Sequence, residues 1–206
     1  MPSQYRIAST RVSWYLGPGK TEVKTEEITE ETTEEFVAMP APFPVKAVAN
    51  AILEKAFSER ARVTPLKLQK LLYYAHGYYS AVAGKPLVDQ AFEAWPYGPV
   101  VPAAYHEFKE FGNSPITRPA TEFDCSLDDD IPVSADFDDP AVRRVIDYVW
   151  KHYSRFSAEE LSDMTHRPDS PWDRTRKENV FGLKNVDIPQ KYIEEYFQPL
   201  VKTNAA

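Results

Sequence analysis

The chain has 206 residues but only one cysteine, Cys125, so a disulfide within the chain is excluded. A single thiol is typical of proteins from a reducing compartment. No apolar run approaches the roughly 20 residues that a transmembrane helix needs. The first residues also lack the apolar core of a secretion signal. We therefore expect a cytoplasmic protein without a membrane partner.

Residue patterns typical of an active site are also scarce. The seven glycines do not form the glycine-rich turns that hold phosphate groups. The histidines at positions 76, 106, 152 and 166 lack the close spacing of a metal site. Cys125 lies among carboxylates, which make a thiol a poor nucleophile. We therefore predict a protein that is not an enzyme and has no metal site or cofactor, and an enzyme of unfamiliar type is the alternative.

The net charge is −7 and is unevenly distributed along the chain. Residues 122–139 contain eight carboxylates and no lysine or arginine, and the first 44 residues hold seven glutamates against four basic residues. Nonspecific binding of nucleic acid depends on cations that neutralise phosphates, so the acidic balance makes nucleic acid an unlikely partner. A basic protein surface is the more suitable partner for this charge.

The first 44 residues form a predicted extension. Residues 5–16 are rich in β-branched and aromatic types, Gly17-Pro18-Gly19 is a turn signal, and residues 20–28 could return as a second strand. This pattern predicts a β-hairpin or an extended strand. A disordered tail is the alternative, although such tails are poor in large apolar groups. A glutamate-rich segment and a proline-rich linker follow.

Residues 45–200 are predicted to form one mainly α, compact multi-helix domain with a small β element. Capping residues, prolines and apolar spacing predict helices that begin near Val45, Pro65, Pro99, Pro140, Ser157, Pro171 and Pro189. The second of these should bury Leu68, Leu71, Leu72, Ala75, Tyr79 and Val82. Residues 92–95 could form a short strand, residues 113–139 should be an irregular acidic excursion, and residues 201–206 a flexible tail.

Two clusters suit interaction with another molecule. Lys67 and Lys70 are one turn apart on a predicted helix, with Tyr74 next along that face. Basic and aromatic groups suit a single-stranded nucleic acid, but solvated lysines beside core tyrosines are the simpler interpretation. In Trp95-Pro96-Tyr97-Gly98-Pro99, two prolines fix the backbone around a glycine, which predicts a rigid aromatic turn. Such a turn can aim the next helix or hold Trp95 and Tyr97 as interface anchors.

Residues 64–111, with the WPYGP turn, and residues 161–172, LSDMTHRPDSPW, resemble the hallmarks of the Panacea domain. This domain is found in bacterial and phage antitoxins and in SocA-like and GepA-like proteins, and the resemblance covers about residues 45–200. It implies a compact helical fold without a known catalytic centre. It also implies an antitoxin of a type II-like toxin–antitoxin system, which binds a protein toxin encoded by an adjacent gene. The alternatives are an adaptor that delivers a toxin to an AAA+ protease and a phage or mobile-element regulatory protein.

The extension, outside this resemblance, is the expected toxin-binding element. Its apolar strand would add to the toxin or cover its active site, while its glutamates would steer it toward a basic surface. The predicted toxin-binding residues are Tyr5, Ile7, Val12, Trp14, Tyr15, Leu16, Glu26, Glu27, Glu30 and Glu31. The predicted interaction residues on the domain surface are Lys67, Lys70, Tyr74, Trp95 and Tyr97. Homo-oligomerisation is compatible with the sequence.

Overall fold

The computed structural model describes residues 41–179 and 181–203. The predicted hairpin or strand and the glutamate-rich segment therefore lie outside the described residues, as do the last three residues. Within the described ranges, no helix is both long and apolar enough to cross a membrane.

The predicted mainly α fold with a small β element is confirmed. In chain order the elements are α1 (Val45–Ser58), α2 (Pro65–Ala83), β1 (Glu93–Trp95), β2 (Gly98–Val100), α3 (Pro102–Phe108), a 3-10 turn (Lys109–Phe111), β3 (Thr121–Asp124), β4 (Asp129–Pro132), α4 (Pro140–Tyr153), α5 (Ala158–Thr165), α6 (Pro171–Glu178) and α7 (Gln190–Thr203). β1 pairs with β2, and β3 pairs with β4, both antiparallel.

Helix α2 is the centre of the fold. The Thr64 side chain accepts a hydrogen bond from the Lys67 N–H at its start, and Gly84 ends it in the left-handed region with φ 65°. The helix packs against α1, α4, α5 and α7, so nearly every side of it is covered. At Gly77 a Cβ atom would lie 2.4 Å from the Phe197 ring of α7, so only glycine allows this close approach.

The predicted buried stripe of α2 is confirmed at five of its positions and wrong at Val82. Leu68, Leu71, Leu72, Ala75 and Tyr79 are buried. Val82 is 55% exposed because it lies in the last turn of α2. There it lines an open apolar groove with residues of α4 and α7.

The prediction of a helix from Pro99 is wrong in its first part. Pro99 and Val100 belong to β2, where Pro99 pairs with Ala94, and the helix begins at Pro102. The Gln69 side chain explains where the strand ends. Its Oε1 accepts a hydrogen bond from the Val101 N–H at 2.9 Å, which occupies the first backbone donor after the strand.

The acidic excursion is more regular than the sequence predicted, because it contains the β3–β4 hairpin. Buried Asn50 of α1 anchors this excursion to the domain. Its Nδ2 donates to the Ala120 and Val133 carbonyl oxygens at 3.0 and 2.8 Å, and its Oδ1 accepts from the Ala120 N–H at 2.6 Å. Three hydrogen bonds to backbone groups on either side of the hairpin thus tie the excursion to α1.

The predicted starts of the later helices are confirmed by their capping contacts. The Asp139 side chain accepts from the Ala141 N–H at the start of α4. Ser157 and Glu160 form both halves of a capping box on α5, and Ser170 caps α6. Helix α7 buries Ile193 and Phe197 in the core, whereas Tyr192 and Tyr196 are only half-buried.

Candidate interaction surface

The turn between β1 and β2 presents an aromatic side chain on a constrained backbone. Trp95 pairs with Gly98, which leaves Pro96 and Tyr97 as the two turn residues. Gly98 has φ 96°, and a Cβ atom there would lie 2.5 Å from the Thr165 Oγ1 and 2.7 Å from the Lys70 Nζ. Position 98 therefore requires glycine both because its φ is positive and because a side chain would have no space. Tyr97 is 71% exposed, so the turn holds an aromatic ring out into solvent.

Lys70 holds the inner side of this turn. Its side chain is fully buried, so the prediction that it lies on the surface is wrong. The Nζ atom donates to the Pro99 carbonyl oxygen at 3.1 Å, and no ion pair involves it within the described part of the chain. Burial without a counter-charge lowers the pKa of Lys70 to about 7.

Helices α5 and α6 hold the turn from the other side. The Ser162 Oγ donates to the Tyr97 carbonyl oxygen at 2.7 Å, and the Trp172 Nε1 donates to the Trp95 carbonyl oxygen at 2.7 Å. The Arg176 Nη1 donates to the Ala94 carbonyl oxygen at 3.3 Å. The two hallmark segments of the sequence therefore contact each other directly. We refer to Lys70, Ser162, Thr165, Trp172 and Arg176, the residues that hold the turn, as the clasp.

The other predicted surface residues differ in exposure. Tyr74 is buried and stacks on Tyr153 with ring centroids 4.2 Å apart, so its prediction as a surface residue is also wrong. Lys67 is half-buried and donates to the Ser154 carbonyl oxygen at 2.6 Å. Burial lowers the pKa of Lys67, and Glu160 opposes that shift. Half-buried Trp95 and exposed Tyr97 both lie at the turn, with buried Lys70 beneath it. Of the five predicted domain residues, the structure therefore brings these three together, but only Trp95 and Tyr97 are at the surface there.

Several residues of this surface were missed from sequence. Gln69, Ser162, Thr165 and Arg176 all hold the turn or the chain next to it. A signal was available for Gln69, because this residue and Lys70 are adjacent polar residues inside a mainly apolar and aromatic helix. Buried polar residues in such a helix need partners, so their presence indicates a second chain segment against that face.

The remaining polar groups indicate structural roles. His76 is buried, and its Nε2 lies 2.7 Å from the Gln190 Oε1 of α7. Burial lowers the pKa of His76 to about 4, although Gln190 and Glu194 act in the opposite direction. Among the described residues, no group of three or more His, Cys, Asp or Glu side chains could hold a metal ion.

Comparison with known proteins identifies the family. The family model described as "Antitoxin SocA-like, Panacea domain" matches residues 68–173, a range that contains the turn and every residue of the clasp except Arg176. The chain belongs to the SocA-like Panacea-domain family. A relative of this Panacea domain, Antitoxin SocA from Caulobacter vibrioides (strain NA1000 / CB15N), is 37% identical over 134 residues, which are 65% of this chain and 71% of the relative. No solved structure matches the chain.

Proposed function

We propose that this protein is a non-enzymatic antitoxin of a type II-like system, which binds and neutralises a protein toxin in the cytoplasm. The observation that carries the proposal is the 37% identity to Antitoxin SocA over most of that relative's length. The toxin is expected to be the product of an adjacent gene. The geometry of the domain agrees with a binding role, because its family-matched part presents a rigid aromatic turn.

The N-terminal extension, predicted as residues 1–44, is the proposed toxin contact. It lies outside the family-matched range, and its segment 5–16 contains Trp14, Tyr15 and Leu16. Large apolar side chains on an extended segment suit strand addition to a partner. The glutamates at positions 26, 27, 30 and 31 would raise the association rate with a basic toxin surface. Tyr97 and Trp95 are the proposed contacts on the domain itself.

The test is co-expression of the adjacent gene product with the full chain or with residues 41–206. We expect the full chain to restore growth, and the shortened chain to fold, as judged by circular dichroism, but to give no protection. A full-length variant with Trp14, Tyr15 and Leu16 changed to serine should behave like the shortened chain. The matched control changes Thr29, Thr32 and Thr33 to serine and should protect fully. Protection by residues 41–206 would show that the toxin contact lies on the domain.

The adaptor alternative from the family resemblance differs from direct binding in one measurable outcome. An adaptor protects only when the AAA+ protease is present, whereas occlusion of the toxin does not depend on it. Growth rescue that persists in a strain lacking the protease supports direct binding, and rescue that disappears supports the adaptor. A regulatory role through nucleic acid would instead require salt-sensitive DNA binding by the purified chain.

A further inference from the structure

The β1–β2 hairpin is part of a three-stranded arrangement. The Ala94 N–H donates to the Val186 carbonyl oxygen at 2.8 Å, and the Ile188 N–H donates to the Phe92 carbonyl oxygen at 2.7 Å. Residues 186–188 therefore run antiparallel beside β1, on the side opposite β2. β1 is the central strand, and its outward-facing side chains have neighbours on both sides.

Two acidic residues occupy opposite positions on the outer face of this small sheet. Glu93 and Asp187 are directly opposite each other in an antiparallel bridge, so their side chains point to the same face. Within the described part of the chain, neither forms a salt bridge. The Glu93 Oε2 accepts the indole N–H of Trp95, at 2.6 Å. Like charges directly opposite each other destabilise a sheet, and the contact with Trp95 gives a structural role to only one of the two carboxylates.

Aromatic side chains lie beside Glu93, and exposed apolar residues precede Asp187 along the chain. Trp95 lies on the same face as Glu93, two residues along β1, and packs against Tyr105 with ring centroids 4.9 Å apart. Tyr97 extends from the end of the hairpin. The loop that leads to Asp187 carries Phe181 and Leu183, which are 86% and 63% exposed. Large exposed apolar groups near a polar rim are typical of a protein interaction surface.

We propose that the face formed by Glu93, Trp95, Tyr97 and Asp187 is a docking surface for an arginine on a basic protein partner. The inference rests on the proposed function, in which that partner is the toxin. A guanidinium group forms paired hydrogen bonds with carboxylates and also stacks on an indole ring. One arginine would thus relieve the repulsion between Glu93 and Asp187 and cover Trp95. The clasp fixes the backbone of the turn in advance, which lowers the entropic cost of binding.

The test compares two full-length double variants with the same change in net charge. Glu93→Gln with Asp187→Asn removes the carboxylate pair and leaves an amide oxygen to accept from Trp95. The control, Glu54→Gln with Asp138→Asn, changes two exposed carboxylates elsewhere on the domain. The measurement is the Kd for the purified toxin by calorimetry, at about 50 mM and about 300 mM salt. The thermal midpoint of each variant is measured in parallel.

We expect the Glu93 and Asp187 variant to bind at least about tenfold more weakly and to lose much of the salt dependence. The control should stay within about twofold of the unmodified chain, because charges distant from a contact contribute little. The thermal midpoint of the test variant should be unchanged or higher, since repulsion has been removed.

An unchanged Kd for the test variant, or a loss shared equally by the control, would overturn this inference and leave the antitoxin proposal standing. Weaker binding together with a clearly lower thermal midpoint would also overturn it, because the pair would then be structural. If the unmodified chain does not bind the adjacent gene product, the proposed function itself fails, and this inference fails with it.

Discussion

Replacing Lys70 with methionine should change how the stability of the Panacea domain depends on pH. The Lys70 side chain is fully buried beneath the aromatic turn and donates to the Pro99 carbonyl oxygen. Methionine has a similar length and no charge. It therefore fills the same space, but it carries no amine whose hydration is lost on burial. The substitution therefore separates the effect of the buried amine from the effect of packing.

The expected magnitude follows from the pKa of the amine. In the unfolded chain the value is 10.5, and burial lowers it to about 7 in the folded protein. Between these values the unfolded chain binds more protons, so stability rises with pH. The loss of folding stability caused by burying the charged amine is complete below pH 7, and it disappears as the pH approaches 10.5. Because each unit of pKa difference equals about 1.4 kcal/mol, the full penalty is about 5 kcal/mol, of which about 2 kcal/mol is recovered between pH 7 and pH 9.

The assay is denaturant unfolding at pH 7, 8 and 9. This window lies above the range where His76 titrates, since its pKa falls to about 4 in the folded state. It also lies below pH 10, where ionisation of the unfolded tyrosines would oppose the effect. The unmodified protein should gain about 2 kcal/mol relative to Lys70→Met across the window. The control Lys151→Met changes an exposed lysine. Its unfolding free energy should vary with pH in the same way as that of the unmodified protein. If the unfolding free energy of Lys70→Met varies with pH in the same way as that of the unmodified protein, the reasoning is refuted, because Lys70 would then have an ordinary pKa.

Two further substitutions test the contacts that organise the domain. Gly98→Ala should destabilise the domain by about 3 kcal/mol in denaturant unfolding, because the new methyl group overlaps the clasp and φ is 96°. Gly84→Ala is the control for backbone strain alone, since its Cβ would meet nothing within 4 Å, and it should cost about 1 kcal/mol; equal costs at the two glycines would contradict the close approach. Asn50→Ala should lower the unfolding free energy by about 3 kcal/mol, because it removes three hydrogen bonds to the acidic excursion. The exposed control Asn113→Ala should have little effect, and a similarly small effect at Asn50 would show that the excursion is not anchored there.

The starts of the helices could be predicted from sequence because their determinants are local. Thr64 with Pro65, and Ser157 with Glu160, supply their capping contacts within four residues of chain. Capping chemistry of this kind needs no tertiary information. The family hallmarks were recognisable for a similar reason, since each is a continuous segment.

The positions of Lys70 and Pro99 could not be predicted because they depend on distant partners. A lysine one turn from another lysine normally indicates a solvated face, but α2 is covered on nearly every side. Pro99 resembled the start of a helix, yet its pairing with Ala94 places it in a strand. The bridge from Glu93 to Asp187 joins residues nearly a hundred positions apart, and no local pattern identified residues 186–188 as part of a sheet.

The most direct test of the antitoxin proposal is inhibition of the purified toxin by the purified chain, with no protease present. The adjacent gene product is assayed for its own activity while the full chain is added in increasing amounts, and the mixture is analysed by size-exclusion chromatography with light scattering. The account predicts a stable complex and loss of toxin activity at a stoichiometric ratio. An active toxin that remains uncomplexed at excess chain would contradict it.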